Sequence, residues 1–281
     1  MSGAQARRQI TGTARWIAAS RARESARADR LFDDPWAATL AGDDGFAMLA
    51  AREQGGQPNE FLPVRTRFFD DLIGSAVQDW PAGPHQVVLL GAGLDTRAFR
   101  LDLPPAWTVY ELDHPEVLAA KAEVLDGVTA RCGRRTVPAD LGDDWPDRLL
   151  DAGFDPAAAT VWIVEGVLFY LPSPQVQSLL VGAAHLSTGR AVLGADAFGT
   201  GLLRLPAMRP LVEHRTATGV PLPFCTDDPD GLLTATGWQP RSVLDVGQPG
   251  ANFGRLAPVP AGWDGGADPT TRSYLLVGSR E

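Results

Sequence analysis

The sequence predicts an α/β protein built on a doubly wound, mostly parallel β-sheet of the Rossmann-like type. Short apolar runs alternate with helical stretches through the middle of the chain, which is the pattern of consecutive βαβ units. Two of these runs have four consecutive apolar residues, 87–90 and 161–164, which indicates strands that are buried on both faces of a parallel sheet. A glycine or an acidic residue directly follows several runs, as expected where the carboxyl ends of parallel strands form a ligand site.

The composition is that of a globular protein with a full core and an acidic charge balance. Of 281 residues 44% are hydrophobic, and 25 basic against 34 acidic side chains give a net charge of −9. This balance argues against a nucleic-acid-binding surface, which requires a basic face. The chain shows neither a membrane-spanning run nor a secretory signal, and Cys132 and Cys225 fit neither a disulfide framework nor a zinc motif. We therefore expect a cytoplasmic monomer or homodimer without a nucleic-acid or membrane partner.

The sequence predicts that residues 1–84 form a helical cover that precedes the sheet, with helical stretches at about 11–29 and 61–77. Seven arginines lie within the first 30 residues. They indicate either a solvated helix face or a positively charged wall over an anionic substrate. On the second interpretation, Arg21 is a candidate substrate-binding residue.

Residues 85–281 are predicted to form the sheet domain. Helices are expected at 114–125 and 175–186, between the predicted parallel strands. Those strands are residues 86–90, 107–110, 135–138, 160–164 and 190–194.

The C-terminal part departs from this alternation. The runs 241–245 and 273–277 are separated only by a Pro- and Gly-rich stretch, which favours an antiparallel pair that closes the edge of the sheet. Residues from about 198 to 225 contain prolines and no clear periodicity, and they are predicted to form a lid inserted over the pocket.

The strongest local motif is Leu-Gly-Ala-Gly-Leu-Asp-Thr-Arg at 90–97, directly after the first predicted strand. Gly91 and Gly93 allow the backbone to approach a ligand without a Cβ in the way. A dinucleotide site would continue to a third glycine where this chain has Thr96. This difference counts against a NAD-dependent oxidoreductase, which remains possible on the fold alone.

Acidic residues follow the other predicted strands. Glu111 and Asp113 come at the end of the second, where a carboxylate accepts hydrogen bonds from ribose hydroxyls, although Asp113 could instead cap the following helix. Asp140 follows the third strand, where an adenine amino group is met, and Glu165 follows the fourth. Their agreement predicts one ligand site along the carboxyl edge of the sheet.

These motifs together resemble the leucine carboxyl methyltransferase family, and more closely its bacterial branch of S-adenosylmethionine-dependent O-methyltransferases, found among polyketide-tailoring enzymes. The resemblance implies a class I methyltransferase fold, S-adenosylmethionine as cofactor, S-adenosylhomocysteine as product and no metal. The segments that carry it are 87–101, 110–115, 139–141 and 164–171, joined by 14–24, 33–36 and 64–70 in the N-terminal part.

The resemblance also implies roles for individual residues of the cofactor site. Arg65 is expected to pair with the methionyl carboxylate, and Gly91 and Gly93 to pass close to the same part of the cofactor. Asp113, with Glu111 as a possible helper, is expected to hold the ribose.

On the same resemblance, Asp140 and the backbone of Leu141 are expected to meet the adenine. Glu165 would face the methionyl ammonium or the pocket floor. One departure is visible, because eukaryotic members have a cofactor-contacting lysine near the N-terminus and this chain has none there. Arg15 or Arg21 could take its place.

The methyl acceptor is expected to be a small molecule, and a carboxylate in preference to a hydroxyl. A carboxylate is ionised at pH 7 and needs no general base, whereas a phenol usually does. The sequence offers few bases, and His85, His114 and His185 are interpreted as structural or surface residues. The candidates for a catalytic or acceptor-binding role are Tyr170 and His214, with Arg21 and Arg204 as further acceptor-binding candidates. A methyltransferase-like protein that binds the cofactor without transferring the methyl group, in a structural or cyclisation role, is the alternative.

Overall fold

A computed structural model describes residues 3–53, 58–256 and 272–281 of the chain. The helices in these ranges are α1 (Gly3–Ser25), α2 (Ala37–Arg52), α3 (Phe61–Asp79), α4 (Arg97–Arg100), α5 (Pro115–Val124), α6 (Trp145–Asp151), α7 (Ser173–Leu186), α8 (Arg209–Thr218) and α9 (Pro229–Ala235). The strands are β1 (Gln86–Leu90), β2 (Thr108–Asp113), β3 (Gly133–Pro138), β4 (Thr160–Val164), β5 (Ala191–Phe198), β6 (Gln239–Asp245) and β7 (Ser273–Arg280).

The strands of the described residues form one sheet in the order β3-β2-β1-β4-β5-β7-β6. Strands β1 to β5 are parallel, and β7 runs antiparallel to both of its neighbours, β5 and β6. The chain order reverses between β1 and β4, which is the point where doubly wound sheets bind ligands. The predicted fold class, including the antiparallel C-terminal strand, is confirmed.

Helices cover both faces of the sheet, which explains why the central strands β1 and β4 are apolar at every residue after the first. Val88 and Trp162 face one core, where Leu179 of α7 packs, and Val87 faces the other, where Ile73 of α3 packs. All residues of β1 and β4 are buried. A strand with only one covered face would instead alternate apolar and polar residues.

Helix α3 packs directly on β5. A Cβ placed at Gly194 would lie 2.7 Å from Leu72 and 2.9 Å from Phe69, so glycine at this position allows the helix to approach the strand closely. The close contact brings the first half of α3, with Arg65, to the carboxyl end of β5. Helix α3 lies before residue 84 and yet packs on the sheet. The predicted boundary between a helical cover (1–84) and a sheet domain (85–281) therefore stays a prediction.

The N-terminal cover consists of α1 and α2, which pack on each other. Helix α1 begins at Gly3 and ends at Ser25, earlier at both ends than the predicted stretch 11–29. None of the helices in the described ranges combines the length and the apolar character that a membrane span requires.

The predicted lid, residues 198–225, follows β5 as two short 3₁₀ helices, Thr200–Arg204 and Pro206–Met208, and then α8. It runs along one side of the cleft described below, and its movement as a lid stays a prediction. In the Pro- and Gly-rich stretch between β6 and β7, residues 257–271 lie outside the described part of the chain.

Candidate active site

A cleft of about 2050 Å³ opens at the carboxyl ends of the parallel strands, under α1 and the segment after β5. Sites for one small ligand occupy roughly 300–1,000 Å³, so this cleft has room for two ligands side by side. We call the part over β1, β2 and the end of β4, with the side chain of Arg65 and the loop after β3, the cofactor half. The part bordered by α2, α3, β5 and residues 198–225 is the acceptor half.

The turn after β1 approaches the cleft with its backbone. Gly91 and Gly93 both have positive φ, of 76° and 50°, a conformation that is strained for residues with a side chain. A Cβ at Gly91 would lie 2.5 Å from a methyl group of Val167. A side chain there would therefore fill the turn, so the two glycines form a cradle open to a ligand, as their sequence predicted.

Asp113 ends β2 beside this cradle and lines the cleft. Its two carboxylate oxygens accept backbone N–H groups, from Gly93 at 2.6 Å and from His114 at 2.7 Å. Burial raises the pKa of Asp113, and the two N–H groups act in the opposite direction. The remaining lone pairs of an anchored carboxylate suit ribose hydroxyls, so both predicted roles, helix start and ligand site, are compatible with this position.

Glu111 does not reach the cleft, and its expected help at the ribose is corrected. It lies two residues before the end of β2, about 6–7 Å back along the strand. There it is fully buried between the side chains of Lys121, at 2.8 Å, and Arg134, at 2.7 Å. Its carboxylate joins β2 to α5 and β3 and is a structural group.

Asp140 and Leu141 line the cleft next to the cradle, after β3. Asp140 is exposed, and one carboxylate oxygen accepts the N–H of Gly142 at 2.8 Å. Its second oxygen accepts no hydrogen bond from the described residues, so Asp140 lies at the cleft with an oxygen available for a group such as the adenine amino group.

Glu165 forms part of the cleft wall after β4, as expected of a residue at the pocket floor. One carboxylate oxygen accepts from Arg65 at 3.1 Å, and the other lies 2.7 Å from Arg97. Burial alone would raise the pKa of Glu165, but the charges of Arg97 and Arg65 outweigh it and lower the pKa. The carboxylate is therefore held ionised at the cleft.

Arg65, the expected partner of the methionyl carboxylate, is buried and lines the cleft. Besides Glu165 it contacts Asp196, whose carboxylate lies 3.1 Å from its Nη1 atom. The Nε and Nη1 atoms are thus engaged with the protein, while Nη2 donates no hydrogen bond to any of the described residues. Arg65 can therefore still bind an anionic group in the cleft.

Asp196 was missed by the sequence reasoning. It lies in β5, is buried behind Arg65 and also accepts the N–H of Gly166. The predicted strand stopped at residue 194, although the rule that selected Asp113 and Glu165, an acid near a strand end, would have found Asp196 in a longer strand.

Further ion pairs extend this arrangement below the cleft into one connected group, which we call the buried charge network. Arg97 is nearly inaccessible and contacts Asp70, Asp95 and Glu165, and Asp70 also contacts Arg100. The network consists of Arg65, Asp70, Asp95, Arg97, Arg100, Glu165 and Asp196.

The acceptor half is lined mostly by apolar side chains. Phe198 stacks at an angle against Phe61 and Phe169, with ring centroids 5.7 and 5.6 Å apart. Residues after β5 complete this surface, namely Leu202, Met208 and Leu211. Aromatic side chains offer a large apolar contact area, so this half suits a ligand with an apolar or aromatic body.

Tyr170 lies at the mouth of the acceptor half, as predicted for an acceptor-pocket residue. It is 53% exposed, packs against Phe169 with centroids 5.7 Å apart, and hydrogen bonds to the side chain of Thr13 in α1. This contact joins the cover to the loop after β4 across the cleft.

Arg52 and Arg215 line the acceptor half, and neither was selected as a candidate from the sequence. Arg52 is exposed and lies over the ring of Trp16, 4.8 Å from its centroid. Arg215 donates one hydrogen bond to the carbonyl of Pro221 at 2.7 Å. The chain contains 25 basic residues, and no feature of the sequence distinguished these two.

Two acceptor-site predictions, Arg204 and His214, are corrected. The side chain of Arg21 lines the cleft, where its Nε and Nη2 atoms bond to Asp34 at 2.8 Å and to the carbonyl of Leu94 and fix α1 to the core, so its role at the acceptor stays a prediction. His214 is exposed on α8 and lies outside the cleft lining, and so does Arg204. A residue in this segment meets the cleft only if its helix turns it inward, which the composition alone does not determine.

The histidines are placed away from the acceptor half. His85 bonds to the carbonyl of Pro81, and His185 is exposed on α7. His114 lines the cleft, contrary to its interpretation as a purely structural or surface residue, but it lies beside Asp113 in the cofactor half. Among the described residues, no group of His, Cys, Asp and Glu is arranged to hold a metal ion.

Comparison with known proteins agrees with this geometry. The profile of the leucine carboxyl methyltransferase family matches residues 14–184. A Frankia alni protein named "putative S-adenosyl-L-methionine-dependent methyltransferase" is 39% identical over 92% of both chains, and a Rhodococcus jostii protein of the same name is 40% identical over 88% of both. A solved structure of a DUF574 family protein from Streptomyces avermitilis is 14% identical and superposes with a TM-score of 0.58, over 96% of this chain and 97% of its own, which supports the fold.

Proposed function

The chain belongs to the leucine carboxyl methyltransferase family and is an S-adenosylmethionine-dependent methyltransferase, and from this premise we propose that it methylates a carboxylate of a small, largely apolar acid. Polyketide-like and other secondary metabolites with a free carboxyl group are the class of acceptor we expect.

The cofactor half provides groups that fit S-adenosylmethionine. A Cβ at Gly91 would collide with Val167, and the positive φ of Gly91 and Gly93 would be strained in any residue with a side chain. Asp113 lies beside this cradle and accepts the N–H of Gly93. In this proposal Asp113 holds the ribose, and Asp140 and Leu141 hold the adenine. The free Nη2 of Arg65 binds the methionyl carboxylate, a task that suits a guanidinium.

The observation that carries the choice of acceptor is the set of charged groups in the acceptor half. Among its described lining residues are the guanidinium groups of Arg52 and Arg215, and no histidine, lysine or cysteine. A carboxylate with a pKa of about 4 is ionised at neutral pH, while a phenol with a pKa of about 10 needs a base to remove its proton. The lining carboxylate Asp44, on α2, is exposed and lies 3.6 Å from Arg15. A half-cleft with cations and without a histidine, lysine or cysteine to act as the base therefore favours a carboxylate acceptor.

Within this arrangement the protein supplies binding, orientation and exclusion of water. When bound, the cofactor supplies an electrophilic methyl group on a positively charged sulfur. Arg52 and Arg215 attract the acceptor carboxylate, and the aromatic surface around Phe198 holds its apolar body and keeps water away. Alignment of the acceptor oxygen with the methyl carbon is the main contribution that such a displacement requires. The transfer needs neither a base nor a Lewis acid, so we propose that it proceeds without a metal.

Arg15 is the remaining candidate for the position of the family's N-terminal lysine. It lines the cleft and lies 3.6 Å from the exposed Asp44, whereas Arg21 is committed to Asp34. A pair between largely exposed partners contributes little to stability, so Arg15 is free to interact with a bound ligand.

The test is incubation of the protein with methyl-labelled S-adenosylmethionine and a panel of aromatic and aliphatic carboxylic acids, each paired with its primary amide and its alcohol. The proposal expects label in alkali-labile methyl esters of the acids and none in products of the amides or alcohols. Label only in alkali-stable ethers would contradict a carboxylate acceptor. Binding of S-adenosylhomocysteine without transfer to any member of the panel would instead favour a non-catalytic role.

A further inference from the structure

The buried charge network has unequal numbers of positive and negative groups. Among the described residues it joins three guanidinium groups to four carboxylates, so it carries a net charge of −1 when all are ionised. Four of its members, Arg65, Asp95, Arg97 and Glu165, also line the cleft. The excess charge therefore lies directly against the ligand site.

Neighbouring buried groups do not cancel the excess. Lys121 and Arg134 lie beside Glu111, and together with Asp113 the positive and negative groups of this set are equal in number. The nearby pair of Arg21 and Asp34 is neutral as well. The charge of −1 therefore remains when these buried neighbours of the network are included.

The excess belongs to Asp196, at the end of the network. Asp70 and Glu165 each contact two guanidinium groups, whereas Asp95 and Asp196 each contact one, Arg97 and Arg65 respectively, which other carboxylates share. The charges of Arg97, Lys121 and Arg100 nevertheless outweigh burial at Asp95 and lower its pKa. The carboxylate of Asp196 accepts the N–H of Gly166, which fixes its position. Burial raises the pKa of Asp196, and Arg65 offsets this only in part.

The two forms of the cofactor differ in charge by one unit. S-adenosylmethionine has a carboxylate, an ammonium and a sulfonium, with a net charge of +1. S-adenosylhomocysteine has a neutral thioether in place of the sulfonium and a net charge of zero. A site with one uncompensated carboxylate is electrically complementary to the first and not to the second.

We propose that Asp196, as the uncompensated carboxylate of the buried charge network, makes the cleft prefer the cationic methyl donor to the neutral product. The interaction is long-range, because Asp196 lies behind Arg65 and outside the cleft lining. It acts through a buried region where charges are screened less than in water. Asp196 is thus a positioning and charge-setting residue whose effect favours release of the product after transfer.

The experiment measures the dissociation constants of S-adenosylmethionine, sinefungin and S-adenosylhomocysteine for the wild-type protein and for Asp196→Asn. Sinefungin carries an ammonium in place of the sulfonium and therefore shares its positive charge. We expect Asp196→Asn to weaken both cationic ligands on the order of 10-fold, the scale of one charge interaction across several ångströms of protein. S-adenosylhomocysteine should change by less than about a third of that factor.

Asp71→Asn is the matched control, because Asp71 is a half-exposed carboxylate on the same helix as Asp70 and pairs with Arg67 outside the network. It should leave all three constants unchanged. Equal weakening of cationic and neutral ligands by Asp196→Asn would show that Asp196 only shapes the site, and it would overturn the proposal. If Asp196→Asn does not fold, the wild-type constants decide, since tighter binding of S-adenosylhomocysteine than of both cationic ligands contradicts the proposed preference. These measurements need no methyl acceptor and are independent of its identity.

Discussion

The two halves of the cleft differ in how their polar groups are held. In the cofactor half, Asp113, Glu165 and Arg65 are each fixed by at least two hydrogen bonds or ion pairs. In the acceptor half, Arg52 is exposed and rests on an aromatic ring, and Arg215 makes one bond to a carbonyl. The first half is preorganised by a buried network, and the second presents groups that a ligand can complete. The contrast suits a site that binds one constant ligand beside one that varies among relatives.

Among the substitutions considered, one in the buried charge network beside the cofactor half is expected to have the largest effect, a loss of stability. Arg97→Met leaves three carboxylates of the network without their shared partner, and removal of one member of a buried charged group costs about 3–5 kcal/mol. Chemical denaturation should show this loss in the free energy of unfolding. Arg148→Met is the control, since Arg148 pairs only with Asp144 on the surface of α6 and its removal should leave stability nearly unchanged. A loss no greater than that of the control would mean that the network does not hold the site.

Substitutions at Glu111 and Asp113, both on β2, distinguish an effect on stability from an effect on ligand binding. Asp113→Asn should weaken binding of S-adenosylhomocysteine by about 1–3 kcal/mol, the usual cost of losing a charged hydrogen-bond partner. Glu111→Gln leaves Lys121 buried without a counter-charge, so it should lower the free energy of unfolding with little effect on the affinity that remains. Calorimetric titration and denaturation of both variants check the pair. Exchanged results, with binding lost in Glu111→Gln only, would restore Glu111 to the ribose site.

The role of Gly91 in ligand binding can be tested by comparison with a second glycine, Gly127, that has nearly the same backbone conformation. Gly91 and Gly127 have φ of 76° and 74°, but a Cβ at Gly127 meets no atom within 4 Å. Gly127→Ala should lose about 1 kcal/mol of stability from backbone strain, and Gly91→Ala should lose more, because its Cβ also meets Val167. Only Gly91→Ala should also weaken S-adenosylhomocysteine, by roughly 10-fold or about 1.4 kcal/mol. Equal affinities in the two variants would place the ligand away from the turn.

Much of the cofactor half could be predicted from the sequence because it follows from strand ends. Gly91, Asp113 and Glu165 stand directly after or at the end of apolar runs, and parallel strands bring these positions to one edge. Glu111 was assigned wrongly to the ribose site. The strand pattern does not show which of two nearby acidic residues, Glu111 or Asp113, lies at the carboxyl edge of the sheet. Asp196 was missed because the fifth strand is longer than its apolar run.

The acceptor half was not predictable in the same way. Whether a residue of 198–225 faces the cleft depends on two short 3₁₀ helices and on the rotation of α8, which have no periodic signal of their own. His214 and Arg215 are neighbours in sequence, yet only Arg215 lines the cleft. Arg52 reaches the cleft from the end of α2, a placement fixed by the packing of α2 on α1.

The acceptor half should respond to Arg52→Gln with a smaller and more selective change. We expect the KM of a carboxylic acid acceptor to rise about 5- to 10-fold, or roughly 1–1.4 kcal/mol, with the affinity for S-adenosylhomocysteine unchanged. Arg190→Gln is the matched control, because Arg190 also lies over a tryptophan ring, Trp80, but outside this cleft. Unchanged kinetics in Arg52→Gln would remove Arg52 from the acceptor site, and a loss of cofactor affinity would move it to the other half.

If the acceptor half binds an acid that is already ionised, methyl transfer requires no base. This is tested by the single-turnover rate of methyl transfer to a carboxylic acid acceptor, followed from pH 6 to 9 with saturating S-adenosylmethionine. Because the pKa of the acceptor is about 4, we predict a rate that stays flat across this range. A rate that rises with pH, with a midpoint above 7, would show that a proton must be removed before transfer and would contradict an ionised carboxylate as the acceptor.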